Sequence, residues 1–424
     1  MKVLVYGLNY APEPVGIGKY SGELAPWLRA RGHQVRVITA PPYFPSWRLA
    51  AGHHNSYNVK NLHGVRVQRC PLWVPRRPTG LTRLIHLASF ALSSLPPLLA
   101  QLRWRPDVVI TVAPAFFCAP GALLLGYLCG RRTTSWLHIQ DFELDAAFQL
   151  GLLKGKLLRH LAEAWERSTL QAFDRVSSIS SAMVQRLEAK GVSPDRSLLL
   201  PNWVDLKLIR PQLGKAQLEN SYRRELGIGS DQLVVMYSGS MNKKQGLELL
   251  AEVIHQLADL PHLVWLLAGE GPTKAELVAA TKSLPHVRHL PLQPTERLND
   301  WLNAADIHLL PQKAEAADLV LPSKLLGILA SGRPVVASSP AGSELADLAE
   351  QAGACVPPGD TKSFAKAIRE LVTNPEVRAV AGKRARELAE MHYGVDTVLS
   401  RFERQLSSLA NERVTPPNTQ HFNE

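Results

Sequence analysis

Several short segments set small residues, a cation or an acid where chemistry could occur. Leu321-Pro322-Ser323-Lys324 precedes an apolar helical run (Leu325, Leu326, Ile328, Leu329). Ser323 is therefore expected to cap a helix whose free N–H groups and partial positive charge suit a diphosphate, with Lys324 adding a point charge. An ordinary serine cap beside a solvated lysine is spelled the same way. Gly16-Ile17-Gly18-Lys19 precedes another helix; its small residues either let backbone approach an anionic ligand or only make a tight turn. His138 and Asp141 follow the apolar strand Ser135-Trp136-Leu137, with Glu143 and Asp145 close behind. At the carboxyl end of a strand such a pair either orients a bound group or braces the structure. The glycines at 16, 18 and 22 are one residue too wide for a dinucleotide fingerprint, and no acid ends the second strand at Thr39-Ala40-Pro41, which argues against NAD. There is no Asp-x-Asp pair and no His/Cys cluster, so neither a metal nor another cofactor is expected.

The elements that must position these residues read as strand, turn and helix, repeated in two halves. Val3–Tyr6, Val35–Thr39, Val108–Val112, Thr134–Leu137 and Val176–Ile179 are buried-type strands alternating with helices such as Tyr20–Arg31, the grammar of a parallel α/β sheet. It restarts at Leu233–Tyr237 and continues through Leu263–Leu267, Ile307–Leu310 and Val335–Ala337. Two Rossmann-like domains facing a central cleft follow, with ligands expected at the carboxyl ends of both sheets. The turn-rich Pro201-Asn202-Trp203-Val204-Asp205 marks the join, giving domains at 1–205 and 206–390. Val395, Val398, Leu399, Phe402, Leu406 and Leu409 recur at helical spacing, so 391–410 is read as a C-terminal helix and 411–424 as a loose tail.

A chain of 424 residues, 46% hydrophobic and 20% charged, is too long for one core and too apolar for a disordered protein. Four scattered cysteines without a C-x-x-C pair exclude a disulfide framework and suit the cytosol. The net charge of +11 sits in the first half: residues 1–205 hold 24 basic and 12 acidic residues, 206–424 hold 24 and 25, and before Asp107 the balance is 14 to two. Such asymmetry faces an anionic partner. Nucleic acid is not expected, because aromatic interleaving and a recognition motif are lacking. The opening Met1-Lys2-Val3-Leu4-Val5-Tyr6-Gly7 reads as a first strand, not a signal peptide. The longest apolar stretch, Leu84 to Leu102, contains His86 and Pro96-Pro97 and is flanked by Arg76, Arg77, Arg83, Arg103 and Arg105. It is poor for spanning a bilayer and is either a core helix or a segment lying on an anionic membrane surface.

The order of motifs resembles a known family. The Gly-rich loop, Arg31-Gly32-His33-Gln34-Val35, Glu166-Arg167 leading to Val176-Ser177-Ser178-Ile179-Ser180, Leu200-Pro201-Asn202-Trp203-Val204-Asp205, Ser238-Gly239, Leu267-Ala268-Gly269-Glu270-Gly271-Pro272, Ala304-Ala305-Asp306 and Ala330-Ser331-Gly332-Arg333-Pro334-Val335-Val336-Ala337 look like the retaining family 4 glycosyltransferases of GT-B fold. Leu4-Val5-Tyr6-Gly7-Leu8-Asn9-Tyr10, Val37 to Tyr43, Leu137-His138-Ile139-Gln140-Asp141, Lys244-Gln245-Gly246-Leu247-Glu248 and Val320 to Leu325 look like the colanic acid fucosyltransferase subgroup. The resemblance spans residues 1 to about 405. It implies a retaining hexosyltransferase, moving a sugar such as fucose from a nucleotide donor held by the C-terminal domain. The implied acceptor is a carbohydrate or lipid-linked oligosaccharide, met by a cytoplasmic enzyme at the inner face of the plasma membrane.

The sequence departs from that family where it matters. The family's two glutamates before the small-Gly-x-Pro turn fall on Leu319 and Gly327, and the Arg and Lys that bracket the donor diphosphate fall on Ser240 and Gln245, with Lys243 and Lys244 adjacent. Donor binding is then expected from Gly16, Gly18, Ser240, Lys243, Lys244, Asp318, Ser323 and Lys324, with His138 and Asp141 serving the sugar. Asp318 is either an acceptor for a sugar hydroxyl or a plain loop acid. A GT-B-shaped sugar-nucleotide 2-epimerase and a non-catalytic sugar-binding protein are the competing readings.

Overall fold

The computed structural model describes residues 1–14, 16–77, 79–113, 116–130, 133–142, 156–284, 286–314 and 321–414. The chain divides into two compact units: Met1–Pro201 together with the chain from Leu399, and Asn202–Val398. The division falls four residues before the expected join at Asp205.

Unit 1 is built on an eight-stranded sheet of β1 (Lys2–Gly7), β2 (Gln34–Thr39), β3 (Asn58–Leu62), β4 (Val65–Arg69), β5 (Val108–Ala113), β6 (Thr134–Ile139), β7 (Arg175–Ser178) and β8 (Ser197–Leu199), in the order β3-β4-β2-β1-β5-β6-β7-β8. All pairs are parallel except β3 with β4. Every residue of β5 and β6 is buried, because helices cover both faces of a parallel sheet and leave no polar side. The order reverses direction at β1 and β5, so the connection after β1 lies at the switch point where such sheets take ligands. That connection leads to helix α1 (Gly16–Ala30).

The apolar stretch begins earlier than expected, as helix α2 (Gly80–Leu99), with Pro96 and Pro97 in its final turn. Phe90 and Leu98 are fully buried in the unit 1 core, and the Ser94 hydroxyl lies 2.7 Å from the Tyr6 hydroxyl. Its other face carries the exposed Leu81, Ile85 and Leu92, and helix α3 (Ala119–Leu128) beside it exposes Leu124, Tyr127 and Leu128. Gly80–Arg103 is long and apolar enough to cross a membrane, with a third of it buried inside the protein.

Unit 2 holds a parallel six-stranded sheet of β9 (Leu233–Ser238), β10 (Leu263–Ala268), β11 (Val287–Leu290), β12 (Ile307–Leu310), β13 (Val335–Ser338) and β14 (Gly353–Val356), ordered β11-β10-β9-β12-β13-β14. Its switch point lies between β9 and β12. Helices α4 (Leu298–Ala304) and α5 (Ser323–Ala330) pack at this sheet, where Gly327 of α5 leaves only 3.2 Å between an added Cβ and Leu302 Cδ1.

The last helix, α6 (Val395–Val414), runs past the expected end at 410, and the rest of the expected tail lies outside the described residues. Within unit 1, Phe402 of α6 packs edge-on to Trp136 of β6 at 4.9 Å between ring centres, and Glu403 accepts from His33 at 3.0 Å and Arg31 at 3.1 Å.

Candidate functional site

In unit 2 the sequence folds a cation into the switch point. The connection after β9 leaves through Ser238-Gly239-Ser240 and is held against the one after β10: Met241 N–H donates to the Glu270 carbonyl at 2.9 Å, and Thr273 donates to the Met241 carbonyl through its N–H at 3.1 Å and its hydroxyl at 2.9 Å. This contact requires glycine at 269 and 271, since an added Cβ would sit 2.0 Å from the Gly239 carbonyl oxygen and 2.2 Å from that of Met241.

Beneath this loop, Lys324 reaches from the first turn of α5. Its ammonium donates to Gln245 Oε1 at 2.9 Å and to the Tyr237 hydroxyl at 3.2 Å, and lies 4.3 Å from the centre of the Tyr237 ring. The Tyr237 hydroxyl donates onward to the Ser240 carbonyl at 2.6 Å. Burial lowers the Lys324 pKa from 10.5 to about 7, because the charged form loses solvation. Among the described residues these bonds use two of the three N–H donors of the ammonium.

Ser323 is the first residue of α5 and not its cap. The cap position falls on Pro322, whose extended backbone (φ −60°, ψ 121°) delays the helix by one residue and whose side chain accepts no hydrogen bond. Pro322 therefore offers no side-chain cap to the first N–H groups of α5, which lie beside Lys324. Ser240, Lys243 and Lys244 are exposed on the same connection after β9, where Asn242 accepts from Lys244 N–H at 3.2 Å and caps the short turn Lys243–Gln245. Asp318 and Leu319 lie outside the described residues. At Gly327, an added Cβ would lie 3.2 Å from Leu302 Cδ1, so a larger side chain there requires that leucine to shift.

In unit 1, His138 is buried instead of projecting beyond a strand end, since β6 continues through Ile139 and pairs with both β5 and β7. Gln140 donates its amide N–H to His138 Nε2 at 3.0 Å, so Nδ1 carries the proton and donates to Ser177 Oγ at 2.9 Å. Trp136 Nε1 donates to the same oxygen at 2.8 Å. Burial lowers the His138 pKa to about 4 and keeps the ring neutral. Both ring nitrogens are thereby occupied, and the histidine orients Gln140. Asp141 follows, exposed, just past the strand.

Gly16 and Gly18 open α1 above a carboxylate that sequence reasoning passed over. Glu13 is buried; its Oε1 accepts from the backbone N–H groups of Tyr43 and Phe44, both at 3.0 Å, and its Oε2 from Asn9 at 2.9 Å. A side chain at Gly18 would meet Glu13 Cβ at 2.5 Å. Arg69, at the end of β4, donates to the carbonyls of Ala40 and Ala11, both at 2.6 Å. Glu13 and Arg69 thus tie together the connections leaving β1, β2 and β4. The one sequence signal for Glu13 was its rarity, as one of two acids before Asp107. Tyr237 and Gln140 gave none beyond lying at strand ends.

Comparisons with known proteins match this architecture along most of the chain. The glycosyl transferase 4-like domain family matches residues 15–203, and the glycosyl transferases group 1 family matches residues 232–374. A protein of Escherichia coli (strain K12), named as the colanic acid biosynthesis glycosyl transferase WcaI, is 42% identical over 411 residues, 95% of this chain and 98% of that protein. Among solved structures, sucrose-phosphate synthase from Thermosynechococcus elongatus superposes with a TM-score of 0.72 at 17% identity, covering 97% of this chain and 100% of that one. HepE of Anabaena, solved with UDP and glucose, gives 0.68 at 15% identity, covering 96% and 100%. At these identities the structures show the fold, two Rossmann-like domains of GT-B type.

Proposed function

Since the chain belongs to the glycosyltransferases built from a 4-like and a group 1 domain, we propose that it transfers a hexose, with retained anomeric configuration, from a nucleoside diphosphate donor whose diphosphate binds at Lys324 in unit 2. The observation that carries this reading is the Lys324 ammonium, set at the switch point in the first turn of α5, whose cap position is a proline that offers no side-chain acceptor. Departure of a nucleoside diphosphate builds negative charge on phosphate oxygen. The Lys324 ammonium, its proton drawn back by the bound diphosphate, and backbone N–H groups held in place stabilise that charge. Gln245 stands where the family carries a lysine, and the lysine from α5 delivers its ammonium to the same place. Ser240, Lys243 and Lys244 rim this site, and the reading assigns charge neutralisation to side chains and needs no metal. In unit 1, Gly16 leaves room for close approach of a bound group while Gly18 serves packing on Glu13, His138 positions Gln140, and Asp141 accepts from a sugar hydroxyl.

By likeness to the protein named for colanic acid biosynthesis, the acceptor is proposed to be a growing, lipid-linked glycan, with fucose from GDP-fucose as the leading donor. The apolar stripe of α2 (Leu81, Ile85, Leu92), the outward residues of α3 and the exposed Arg76, Arg77 and Arg83 suit the interface of an anionic membrane on the cytoplasmic side. A panel of nucleotide sugars, each tested by thermal shift and then by product analysis with EDTA present, tests the reading. A transferase releases nucleoside diphosphate and forms a glycoside only when acceptor is present, whereas isomerised donor without acceptor would make it a 2-epimerase. Stabilisation by no nucleotide would overturn the donor site.

A further inference from the structure

Unit 1 contains a cavity that the proposed function leaves unassigned. Connections leaving the carboxyl ends of β2 and β4 line an open cavity of about 720 Å³ that includes Trp47, Arg48, Leu49, Asn55, Trp73 and Arg76. Asn55 holds its two walls together, donating to the Leu72 carbonyl at 2.8 Å and accepting from Leu72 N–H at 2.9 Å.

The tryptophans are presented on fixed frames. Trp47 packs at 5.3 Å from the His86 ring and 5.7 Å from that of Tyr43, with the Arg83 guanidinium 5.8 Å from its centre. Trp73 has its N–H bonded to Ser89 Oγ at 2.9 Å and its carbonyl to His86 Nδ1 at 2.6 Å, both from α2, while its side chain is 45% exposed. A large indole held in water on a pinned backbone costs burial energy and is available to a ligand without reordering.

The chain that lines it is cationic. No aspartate or glutamate occurs between Glu23 and Asp107, a stretch with twelve arginines and lysines. Arg48 and Arg76 are exposed at the cavity and make no ion pair among the described residues. Planar aromatic faces suit the apolar face of a pyranose, and an arginine fork suits a carboxylate or a phosphate.

We propose that this cavity binds a saccharide carrying an anionic group, the sugar face lying on Trp47 and Trp73 and the anion between Arg48 and Arg76. The inference rests on the glycosyltransferase reading and assigns the acceptor to unit 1. The anion has two possible sources, a uronic acid in the glycan or the diphosphate joining a sugar to a lipid carrier.

The test uses the full chain and three probes followed by NMR titration: methyl β-glucuronide, glucose linked through diphosphate to a short polyprenyl chain, and methyl β-glucoside. At least one anionic probe is expected to bind about tenfold tighter than the neutral glucoside. Arg48→Ala and Trp73→Ala should each weaken that probe about tenfold, with melting curves unchanged, and Lys324→Ala should not weaken it. Preference for the glucuronide identifies an acidic glycan, and preference for the diphosphate identifies the carrier linkage. The proposal is overturned if neither anionic probe exceeds the glucoside, or if binding survives intact in both pocket variants. Nucleoside diphosphate titrated into the same samples reports on the donor site separately. Its binding with no saccharide effect sinks only this inference, and its absence sinks the glycosyltransferase reading.

Discussion

Burial of Lys324 makes donor binding dependent on pH in a direction opposite to folding. In the free protein its pKa is lowered from 10.5 to about 7, while the unfolded chain keeps the proton. Between those values the unfolded state binds more protons, so stability of the free protein rises with pH. A bound diphosphate reverses this by favouring the ammonium and drawing the proton back. If only the protonated form holds the diphosphate, affinity scales with the protonated fraction, which falls from about a quarter at pH 7.5 to about 0.3% at pH 9.5. Affinity should therefore drop about 75-fold, or about 2.5 kcal/mol, over a range in which the ligand's own phosphates are already ionised. Calorimetry at pH 7.5 in two buffers of different ionisation enthalpy should show uptake of about three quarters of a proton on binding. Lys324→Arg stays charged throughout and should give a flat profile with no uptake. Parallel profiles for wild type and Lys324→Arg would refute the reasoning, as would release of protons by the wild type.

Other outcomes follow from the same contacts. Lys324→Met should raise the melting temperature of the free protein at pH 7 while weakening nucleoside diphosphate binding at least about tenfold. His138→Ala should lower kcat while leaving nucleoside diphosphate affinity nearly intact, and Gln140→Ala should match it; a wild-type kcat in both would make the network purely structural. Phe402→Ala, which removes the ring against Trp136, should cost about 3–5 kcal/mol in denaturant unfolding, and truncation after Gly394 should leave no stable protein. Reversing Arg76, Arg77 and Arg83 to Glu should abolish cosedimentation with anionic liposomes at low salt, each basic residue contributing about 1 kcal/mol; equal recovery of both proteins would remove the membrane assignment.

The parallel strands were legible because a sheet covered on both faces needs largely apolar runs, and β1, β5, β9 and β10 supply them. The β3–β4 hairpin was not, since Asn58–Leu62 is an exposed edge strand with no apolar alternation to reveal it. Lys324 was legible as a cation at a helix start. What surrounds it was not: Tyr237 and Gln245 lie 87 and 79 residues away in sequence, and only the fold brings them together. Ser323 was misplaced by one residue because Pro322 takes the cap position, where serine usually sits. His138 was expected to project because the strand looked finished at Leu137, but Ile139 still pairs with Ser178 of β7. Glu13 escaped notice because a lone acid in a loop looks solvated until the backbone N–H groups of Tyr43 and Phe44 are seen to converge on it.

The most direct measurement of the central claim is sugar transfer itself. Wild type and Lys324→Ala are incubated with labelled GDP-fucose or the best donor from the panel, a lipid extract containing diphosphate-linked saccharides, and EDTA. The glycoside product is then analysed by NMR at the anomeric centre. The account predicts transfer with retained configuration by the wild type, and a loss of about tenfold or more in kcat/KM for donor in the variant, whose melting curve stays cooperative. Transfer by Lys324→Ala at the wild-type rate would contradict it.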